Sequence, residues 1–287
     1  MTAIADRLRG RRVGVALSSG FFGFFHHAGV LEALVARGIA PARIAGNSAG
    51  ALVGGMYASG LDPAAIADAL LAVRRADFWD AGWPLTARGF GLLSGERLGA
   101  HLSRVLPVHG FADCRLPFAA GVYGIEDGRT RHLTSGSLVT AIRASCAVPY
   151  LFQPVEVGGR RCWDGGFAEK TPLAPFLEAR DVDAVIVSYL PPRDADAAGR
   201  RRFKAFVPRL ASLFADTPAD ERLERDREGV RLLREAGVDV LVLGPPPSKL
   251  GPFSLARGAG AVAAGREGAA RILDSDDDAR LGTEWLV

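Results

Sequence analysis

Short apolar runs alternate along the chain with segments that repeat apolar residues at helical spacing. The runs at 12–18, 184–189 and 238–243 have the length and bulk of strands buried on both faces. The segment 49–59 is apolar and rich in small residues, which suits a buried helix. Because strands and helices alternate throughout, we expect a three-layer α/β/α fold with a mainly parallel central sheet.

Two segments depart from this alternation. Residues 77–93 carry glycine and tryptophan without a clear period, which predicts an irregular insert. Residues 194–236 are charged and predict helices. No internal repeat stands out, and no linker is long enough to separate two domains. Residues 1–287 are therefore expected to form a single domain.

Composition and charge add little to this picture. The chain is 48% hydrophobic and 23% charged, with a formal net charge of +3, which is ordinary for a globular domain. This small positive charge permits contact with an anionic lipid surface. The basic stretches are short, so they do not indicate a nucleic-acid partner. The N-terminus lacks the apolar core of a signal peptide, and no apolar run reaches the length of a membrane span. We expect a cytoplasmic protein that contacts a membrane at most peripherally.

Two glycine-bearing motifs carry the candidate chemistry. Residues 46–50 read Gly-Asn-Ser-Ala-Gly, a G-x-S-x-G after a predicted strand, which places Ser48 on a sharp turn with its hydroxyl exposed. Residues 164–166 read Asp-Gly-Gly and offer the Asp164 carboxylate on a loop that another backbone can approach. Together they predict Ser48 as nucleophile and Asp164 as its base. The glycines of these two turns are Gly46, Gly50, Gly165 and Gly166.

The positions of the histidines leave a second arrangement open. A triad in the order Ser, Asp or Glu, His would need an acid such as Asp113 or Asp127 and would leave Asp164 without a role. Its histidine would be one of His101, His109 and His132. A serine–aspartate dyad needs no histidine. It requires a partly desolvated carboxylate and stabilisation of the oxyanion.

Around these motifs the chain resembles the patatin-like phospholipase family. The blocks that carry the resemblance are Arg12–Leu34, Arg43–Leu61, Ala141–Pro172 and Phe253–Leu273, in the family's order. They span most of the chain, so the resemblance implies one patatin-like catalytic domain with a fold related to cytosolic phospholipase A2.

The resemblance also implies a function. It points to a serine lipid acyl hydrolase of the phospholipase A, lysophospholipase or esterase type, with a lipid ester as substrate. Ser48 would form an acyl-enzyme, and Asp164 would act as the base. No cofactor is implied, and no metal is expected because no acidic cluster has calcium-loop spacing. The oligomeric state is not indicated.

The loop at 18–23 differs from the family pattern, although the resemblance assigns oxyanion stabilisation to its backbone N–H groups. The family has three glycines, two residues of which the second is often basic, and another glycine. In one register Gly20 and Gly23 keep their places and Phe22 replaces the basic residue; in the other, Phe21 stands at the third glycine. A phenylalanine at positive φ would be strained. The candidate oxyanion or substrate-binding residues are Gly20, Phe21, Gly23 and Ala49.

This altered loop keeps a second function open. With two of the family's loop glycines replaced by serine, the chain could be a non-catalytic relative that binds a lipid or a protein. Aromatic residues near the loop and in the insert fit an acyl-chain wall, a transient contact with a membrane surface, or ordinary packing. They are Phe21, Phe22, Phe24, Phe25, Phe78, Trp79 and Trp83.

Overall fold

The structure, a computed structural model, describes residues 2–81, 83, 85–86, 89–190, 219–244 and 255–276. Its strands are β1 (Val13–Leu17), β2 (Pro41–Asn47), β3 (Leu85–Thr86), β4 (Gly89–Leu93), β5 (Phe118–Gly124), β6 (Arg129–Leu133), β7 (Tyr150–Phe152), β8 (Val155–Val157), β9 (Arg160–Asp164), β10 (Ala184–Ser188) and β11 (Asp239–Leu243). Its helices are α1 (Ile4–Leu8), α2 (Phe24–Ala36), α3 (Ala49–Ala58), α4 (Pro63–Leu71), α5 (Glu96–Val105), α6 (Leu138–Ser145), α7 (Ala174–Ala179), α8 (Ala219–Glu235) and α9 (Gly258–Leu273).

A mainly parallel sheet runs through the centre of the fold. Strands β11, β10, β1, β2 and β5 lie side by side in that order and are parallel. Strands β6 and β9 each pair antiparallel with β5, and β8 pairs antiparallel with β9. Strands β3, β4 and β7 form a separate small sheet. The predicted α/β fold with a mainly parallel sheet is confirmed.

Helices cover both faces of the central sheet. Because side chains alternate between the faces of a strand, neighbouring residues enter opposite cores. Ile186 of β10 packs into the core that contains α2, α3 and α9, whereas Val185 and Val187 pack with α7 and α8. The three layers of the prediction are therefore present. Small residues bring the α7 and α8 layer close to the central strands: Ala16, Ala45 and Ala119.

Two strands share one edge of β5. Strand β2 pairs with residues 118–121 of β5, β9 pairs with residues 122–124, and β6 pairs with residues 120–124. Since a strand has two edges and β6 overlaps both partners, β2 and β9 must lie end to end on the other edge. Strand β2 runs parallel to β5 and β9 runs antiparallel, so their carboxyl ends meet. Asn47 lies opposite Gly121, and Asp164 lies opposite Val122.

The segment 77–93 is more regular than the sequence predicts. Strands β3 and β4 pair antiparallel, and Gly89, the first residue of β4, has a φ of 126°, a conformation that favours glycine. Strand β4 buries Leu93 and exposes Phe90 and Leu92, the alternation of a half-buried strand. The expectation of an irregular insert is therefore wrong for this part, because strands of two and five residues carry too short a pattern to be recognised.

The charged segment 194–236 is described only from residue 219 onward, where it forms α8 as expected. Residues 194–218 lie outside the described residues, and the single-domain organisation over residues 1–287 stays a prediction. Within the described ranges, no helix combines the length and apolar character needed to cross a membrane.

Helices α2 and α9 pack closely at glycine positions. A methyl group on Gly29 would overlap the carbonyl oxygen of Val262, and one on Gly265 would overlap the carbonyl oxygen of His26. A methyl group on Gly260, also in α9, would have no neighbour within 4 Å. The two glycines of α9 therefore differ in the room around them although they share one helix.

This difference predicts opposite effects of the same substitution. Gly260→Ala should raise the free energy of unfolding by about 0.5–1 kcal/mol, because alanine favours the helix. Gly265→Ala should lower it by about 1–3 kcal/mol, because α2 and α9 must move apart. Denaturant unfolding of both variants and the parent measures this. A stabilising Gly265→Ala would show that the helices do not pack as described.

Candidate active site

Ser48 lies on the sharp turn between β2 and α3. Its φ of 54° and ψ of −116° form a strained combination for a residue other than glycine, as expected at a nucleophile elbow. A methyl group on Gly46 would overlap the backbone of Gly50, and one on Gly50 would overlap the carbonyl of Leu17. Backbone crowding therefore explains both glycines of the G-x-S-x-G motif.

Two residues of the α6 C-terminus hold this turn. The Ser145 hydroxyl accepts the Ser48 N–H at 2.9 Å and donates to the Gly121 carbonyl at 2.6 Å. The Cys146 thiol donates to the Ser48 carbonyl at 3.4 Å. Burial raises the pKa of Cys146, so its sulfur stays a protonated thiol and does not compete as a nucleophile. Ser145 is not among the residues predicted for the site, and its signal in the sequence is a polar residue within an apolar helix.

Asp164 is buried at the end of β9, beside the turn that carries Ser48. Its carboxylate accepts the Gly166 N–H at 2.7 Å, and the Ser48 hydroxyl is near enough to affect its pKa. Burial raises the pKa of Asp164 to about 7, although the Ser48 hydroxyl, the Gly166 N–H and the positive charge of Arg222 lower it. A carboxylate with a pKa near neutrality is well matched to proton transfer at neutral pH.

The loop that follows Asp164 packs against the loop at 18–23. A methyl group on Gly166 would overlap the Ser19 side chain. The Ser19 N–H donates to the Lys170 carbonyl at 2.8 Å, and the Lys170 ammonium donates to the Ser19 carbonyl at 3.4 Å. The two loops are thereby held as one unit next to Ser48.

The glycines of both loops meet neighbours that leave no room for a side chain. A methyl group on Gly165 would lie 2.6 Å from the backbone of β5. One on Gly20 or Gly23 would overlap the Leu190 side chain, which accords with the register in which these two glycines keep the family's places. The loop residue with positive φ is Phe22, at 59°, and not Phe21.

The oxyanion candidates differ in the state of their N–H groups. The Gly20 N–H has no hydrogen-bond partner among the described residues, and Gly20 lies in the wall of the cavity beside Ser48. Ala49 is the first residue of α3, where N–H groups lack an acceptor within the helix. The Gly23 N–H donates to the Gly20 carbonyl at 2.8 Å and is already engaged. Phe21 lines the same cavity.

An apolar cavity opens beside Ser48. Besides Gly20, Ser48 and Ala49, its wall is formed mainly by aliphatic and aromatic side chains, which include Phe21, Phe22, Leu52, Met56, Leu70, Phe78, Trp79, Leu93, Leu98, Leu102 and Phe152. Such a wall suits an unbranched apolar chain. Among the described residues, no group of three or more His, Cys, Asp or Glu side chains is arranged to hold a metal ion.

The contacts of the histidines favour the dyad over the triad. All five histidines lie in the described part of the chain, and none makes a hydrogen bond with Ser48. The three candidates for a triad have other neighbours: Asp77 at 3.9 Å from His101, Ser103 at 2.9 Å from His109, and Glu169 at 3.0 Å from His132.

Comparison with known proteins identifies the family. The sequence model described as patatin-like phospholipase matches residues 15–177, more than half of the chain. The chain belongs to this family. An uncharacterized NTE family protein of Mycobacterium bovis is 33% identical over 238 residues, which are 76% of this chain and 62% of that protein. The lysophospholipase NTE1 of Mycosarcoma maydis is 30% identical over 188 residues, which are 64% of this chain and 10% of that protein.

The chain thus spans less than two thirds of the length of either relative. Among solved structures, VipD from Legionella pneumophila superposes with a TM-score of 0.51 at 15% identity, over 92% of this chain and 67% of that chain. This likeness shows a shared fold.

In this patatin-like chain, a buried histidine supports the loop at 18–23. His27 Nε2 lies 2.8 Å from the Ser18 carbonyl, which can only accept, so the proton is on Nε2. His27 Nδ1 therefore accepts from the Ser188 hydroxyl at 2.8 Å. Burial lowers the pKa of His27 to about 3, so the ring is neutral at neutral pH. The sequence offered no sign of this role beyond the position of His27 shortly after the loop.

One face of α8 holds the segment that follows Asp164. Arg222 and Arg225 donate to backbone carbonyls at 3.2 and 2.9 Å, and Asp226 accepts a backbone N–H at 3.0 Å, all within residues 166–171. Their spacing of three and four residues places them on the same side of the helix. The sequence predicted this segment to be charged and helical but not its contacts, because contacts between distant segments leave no local pattern.

The burial of Asp164 has a consequence for stability. Its pKa of about 7 in the folded chain lies above the unfolded value of about 3.9, so its ionisation destabilises the fold as pH rises from about 4 to about 7. Asp164→Asn should therefore raise the free energy of unfolding by about 1–3 kcal/mol at pH 8, and by less at pH 5. Denaturant unfolding at both pH values measures this gain.

Asp181→Asn is the control for this titration. A hydrogen bond from Arg43 lowers the pKa of Asp181, so its charge stabilises the fold and the loss of that charge should destabilise it at pH 8. The same loss for Asp164→Asn, independent of pH, would contradict a buried carboxylate with a raised pKa.

Proposed function

We propose that the chain is a serine lipid acyl hydrolase that uses a Ser48–Asp164 dyad and an acyl-enzyme intermediate. The observation that carries this proposal is the position of Ser48, which lies on a strained turn, lines an apolar cavity and is next to the buried Asp164. The family and its lysophospholipase relative support a lipid ester as substrate, of the phospholipase A, lysophospholipase or esterase type.

Acylation begins with the transfer of the Ser48 hydroxyl proton to the Asp164 carboxylate as Oγ attacks the ester carbonyl carbon. Because burial brings the pKa of Asp164 to about 7, the carboxylate accepts this proton and then passes it to the departing alcohol. The carbonyl oxygen, now negatively charged, meets the N–H groups of Gly20 and Ala49, with Phe21 beside them.

The start of α3 adds to this stabilisation. Ser48 immediately precedes the helix, and Ala49 is its first residue. The amino end of a helix carries partial positive charge and N–H groups without internal acceptors, so negative charge is favoured there. With the acyl chain in the cavity, the oxyanion that forms during acylation, and again during deacylation, would lie at this helix end.

Deacylation reverses the roles of the two reacting groups. The alcohol leaves, and water takes its place beside Asp164, which removes a proton from the water as it attacks the Ser48 acyl ester. The fatty acid is released, and the proton returns to Ser48. No step draws on a cofactor.

A second candidate is a non-catalytic relative that binds a lipid or a protein. The observation in its favour is the loop at 18–23, which has serine in place of two of the family's glycines and holds Phe22 at a φ of 59°. Such a protein would bind lipid in the cavity without forming a covalent acyl-enzyme.

A fluorophosphonate probe separates the two candidates. The parent chain should gain one adduct by intact mass, and Ser48→Ala should gain none. Asp164→Asn should be labelled at least about tens-fold more slowly, because it lacks the general base. Ser103→Ala, which alters an exposed serine of α5, serves as the control and should react like the parent. A folded parent chain that gains no adduct would favour the binding protein.

The pH dependence of turnover tests Asp164 as the base. For a soluble ester, kcat/KM should fall about tenfold for each pH unit below about 7, as Asp164 becomes protonated. Since the charge of Arg222 lowers the pKa of Asp164, Arg222→Gln should move this fall to higher pH. Arg225→Gln removes a similar contact to the same segment and should leave the apparent pKa unchanged. Equal shifts in both variants would contradict an electrostatic effect of Arg222.

A further inference from the structure

Large apolar side chains are exposed in the loop at 18–23 and in the segment 79–92, and both stretches contribute residues to the cavity wall. The exposed fractions are 79% for Trp83, 46% for Phe21, 44% for Leu92, and 37% for both Trp79 and Phe90. These five residues are named the apolar rim. Single exposed apolar residues are common on protein surfaces, but a group of large ones marks an interaction site.

The apolar rim continues from the wall of the cavity. Phe21 and Trp79 line the cavity and are also exposed, so they lie at its opening. The Trp83 carbonyl accepts the Gln153 amide at 2.7 Å, directly after the β7 strand that supplies Phe152 to the cavity wall. Phe21 and Trp79 therefore connect the exposed apolar side chains with the cavity.

The apolar side chains on the outer face of strand β4 are exposed rather than buried against the rest of the described chain. Leu93 faces the cavity, whereas Phe90 and Leu92 point to the other side of the strand and are exposed. A half-buried strand normally carries polar residues at its outward positions. Two consecutive outward positions that are both large and apolar indicate a surface that a ligand covers.

The sequence segment that carries four of the five rim residues has an excess of basic residues. Residues 71–104 contain five arginines and three acidic residues. The three acids are engaged: Asp77 by the Arg74 N–H and Arg104, Asp80 by the Ser94 hydroxyl and two backbone N–H groups, and Glu96 by Arg143. Arg97 donates to the Ala76 carbonyl. Exposed tryptophan beside exposed arginine is typical of protein surfaces that lie at the interface of an anionic membrane.

Arg75 illustrates the pairing of charge and aromatic surface. Its guanidinium lies 5.3 Å from the centre of the Trp79 ring, so a cation and an aromatic face are presented together. Arg74 is exposed next to it in the chain. A lipid head group with negative charge can meet these arginines while the rings enter the interface.

We propose that the apolar rim docks on an anionic phospholipid surface, with Arg74 and Arg75 at the head groups and the cavity opening towards the acyl chains. The purpose of this contact rests on the proposed function, since a lipid ester must leave the bilayer to reach Ser48. The contact itself depends only on the exposed side chains and their charge.

Vesicle binding tests the docking surface. The Ser48→Ala chain, used so that lipids stay intact, is sedimented with vesicles of phosphatidylcholine alone or mixed with phosphatidylglycerol. Adding Trp83→Ser and Leu92→Ser should weaken binding about tenfold or more, as expected for the loss of two large apolar side chains. Leu232→Ser, on α8, is the matched control because Leu232 is 38% exposed, and it should bind as before.

Charge is tested separately. Arg74→Gln with Arg75→Gln should weaken binding to the mixed vesicles, and added salt should do the same, with little effect on phosphatidylcholine alone. Arg271→Gln, on the exposed side of α9, is the control and should bind like its parent. Denaturant unfolding of every variant confirms that each is folded as stably as the parent.

The outcomes separate this proposal from the proposed function. With Ser48 intact, the Trp83→Ser, Leu92→Ser chain should cleave a short soluble ester like the parent and cleave vesicle lipid more slowly. Unchanged vesicle binding by this variant overturns the docking surface, as does self-association through the rim without vesicle binding. If vesicle binding depends on the rim but the chain cleaves no ester, the docking surface is supported and the proposed hydrolase function is rejected.

Discussion

Strand β5 offers one edge to two strands that arrive from opposite directions, and the candidate site depends on this arrangement. Strand β2 ends at Asn47 and β9 ends at Asp164, opposite neighbouring residues of β5. The residue after Asn47 must turn away at once, since β9 occupies the next position along that edge. The strained backbone of Ser48 and the crowded glycines on either side are the local consequences.

Burial and strain at this point are offset by hydrogen bonds from distant segments. Ser145 accepts the N–H of the strained turn, His27 supports the loop at 18–23, and α8 holds the segment after Asp164. These contacts position the backbone and let a carboxylate remain buried beside Ser48, where its pKa is raised. The raised pKa that would suit Asp164 to the proposed proton transfer also lowers the stability of the fold, because the buried carboxylate loses its hydration.

Much of the fold was predictable because its signals are local. Strands such as β1 and β10 are continuous apolar runs. Asp62 followed by Pro63 predicts the start of α4, where the Asp62 carboxylate accepts the Ala65 N–H at 2.8 Å. The insert at 77–93 was wrongly expected to be irregular, since β3 and β4 are too short for a period to show. The contacts of Arg222 and His27 join residues far apart in sequence, so no local pattern could reveal them.

The sequence by itself determined the alternation of strands and helices, the G-x-S-x-G turn and the presence of an aspartate before two glycines, because each depends on neighbouring residues. The tertiary structure alone decided that Ser48 and Asp164 meet, that the carboxylate is buried and that an apolar cavity opens beside them. Burial, and with it the pKa of Asp164, is a property of surroundings assembled from many segments. The sequence specifies which functional group a residue carries, but the packing around it determines its exposure to water.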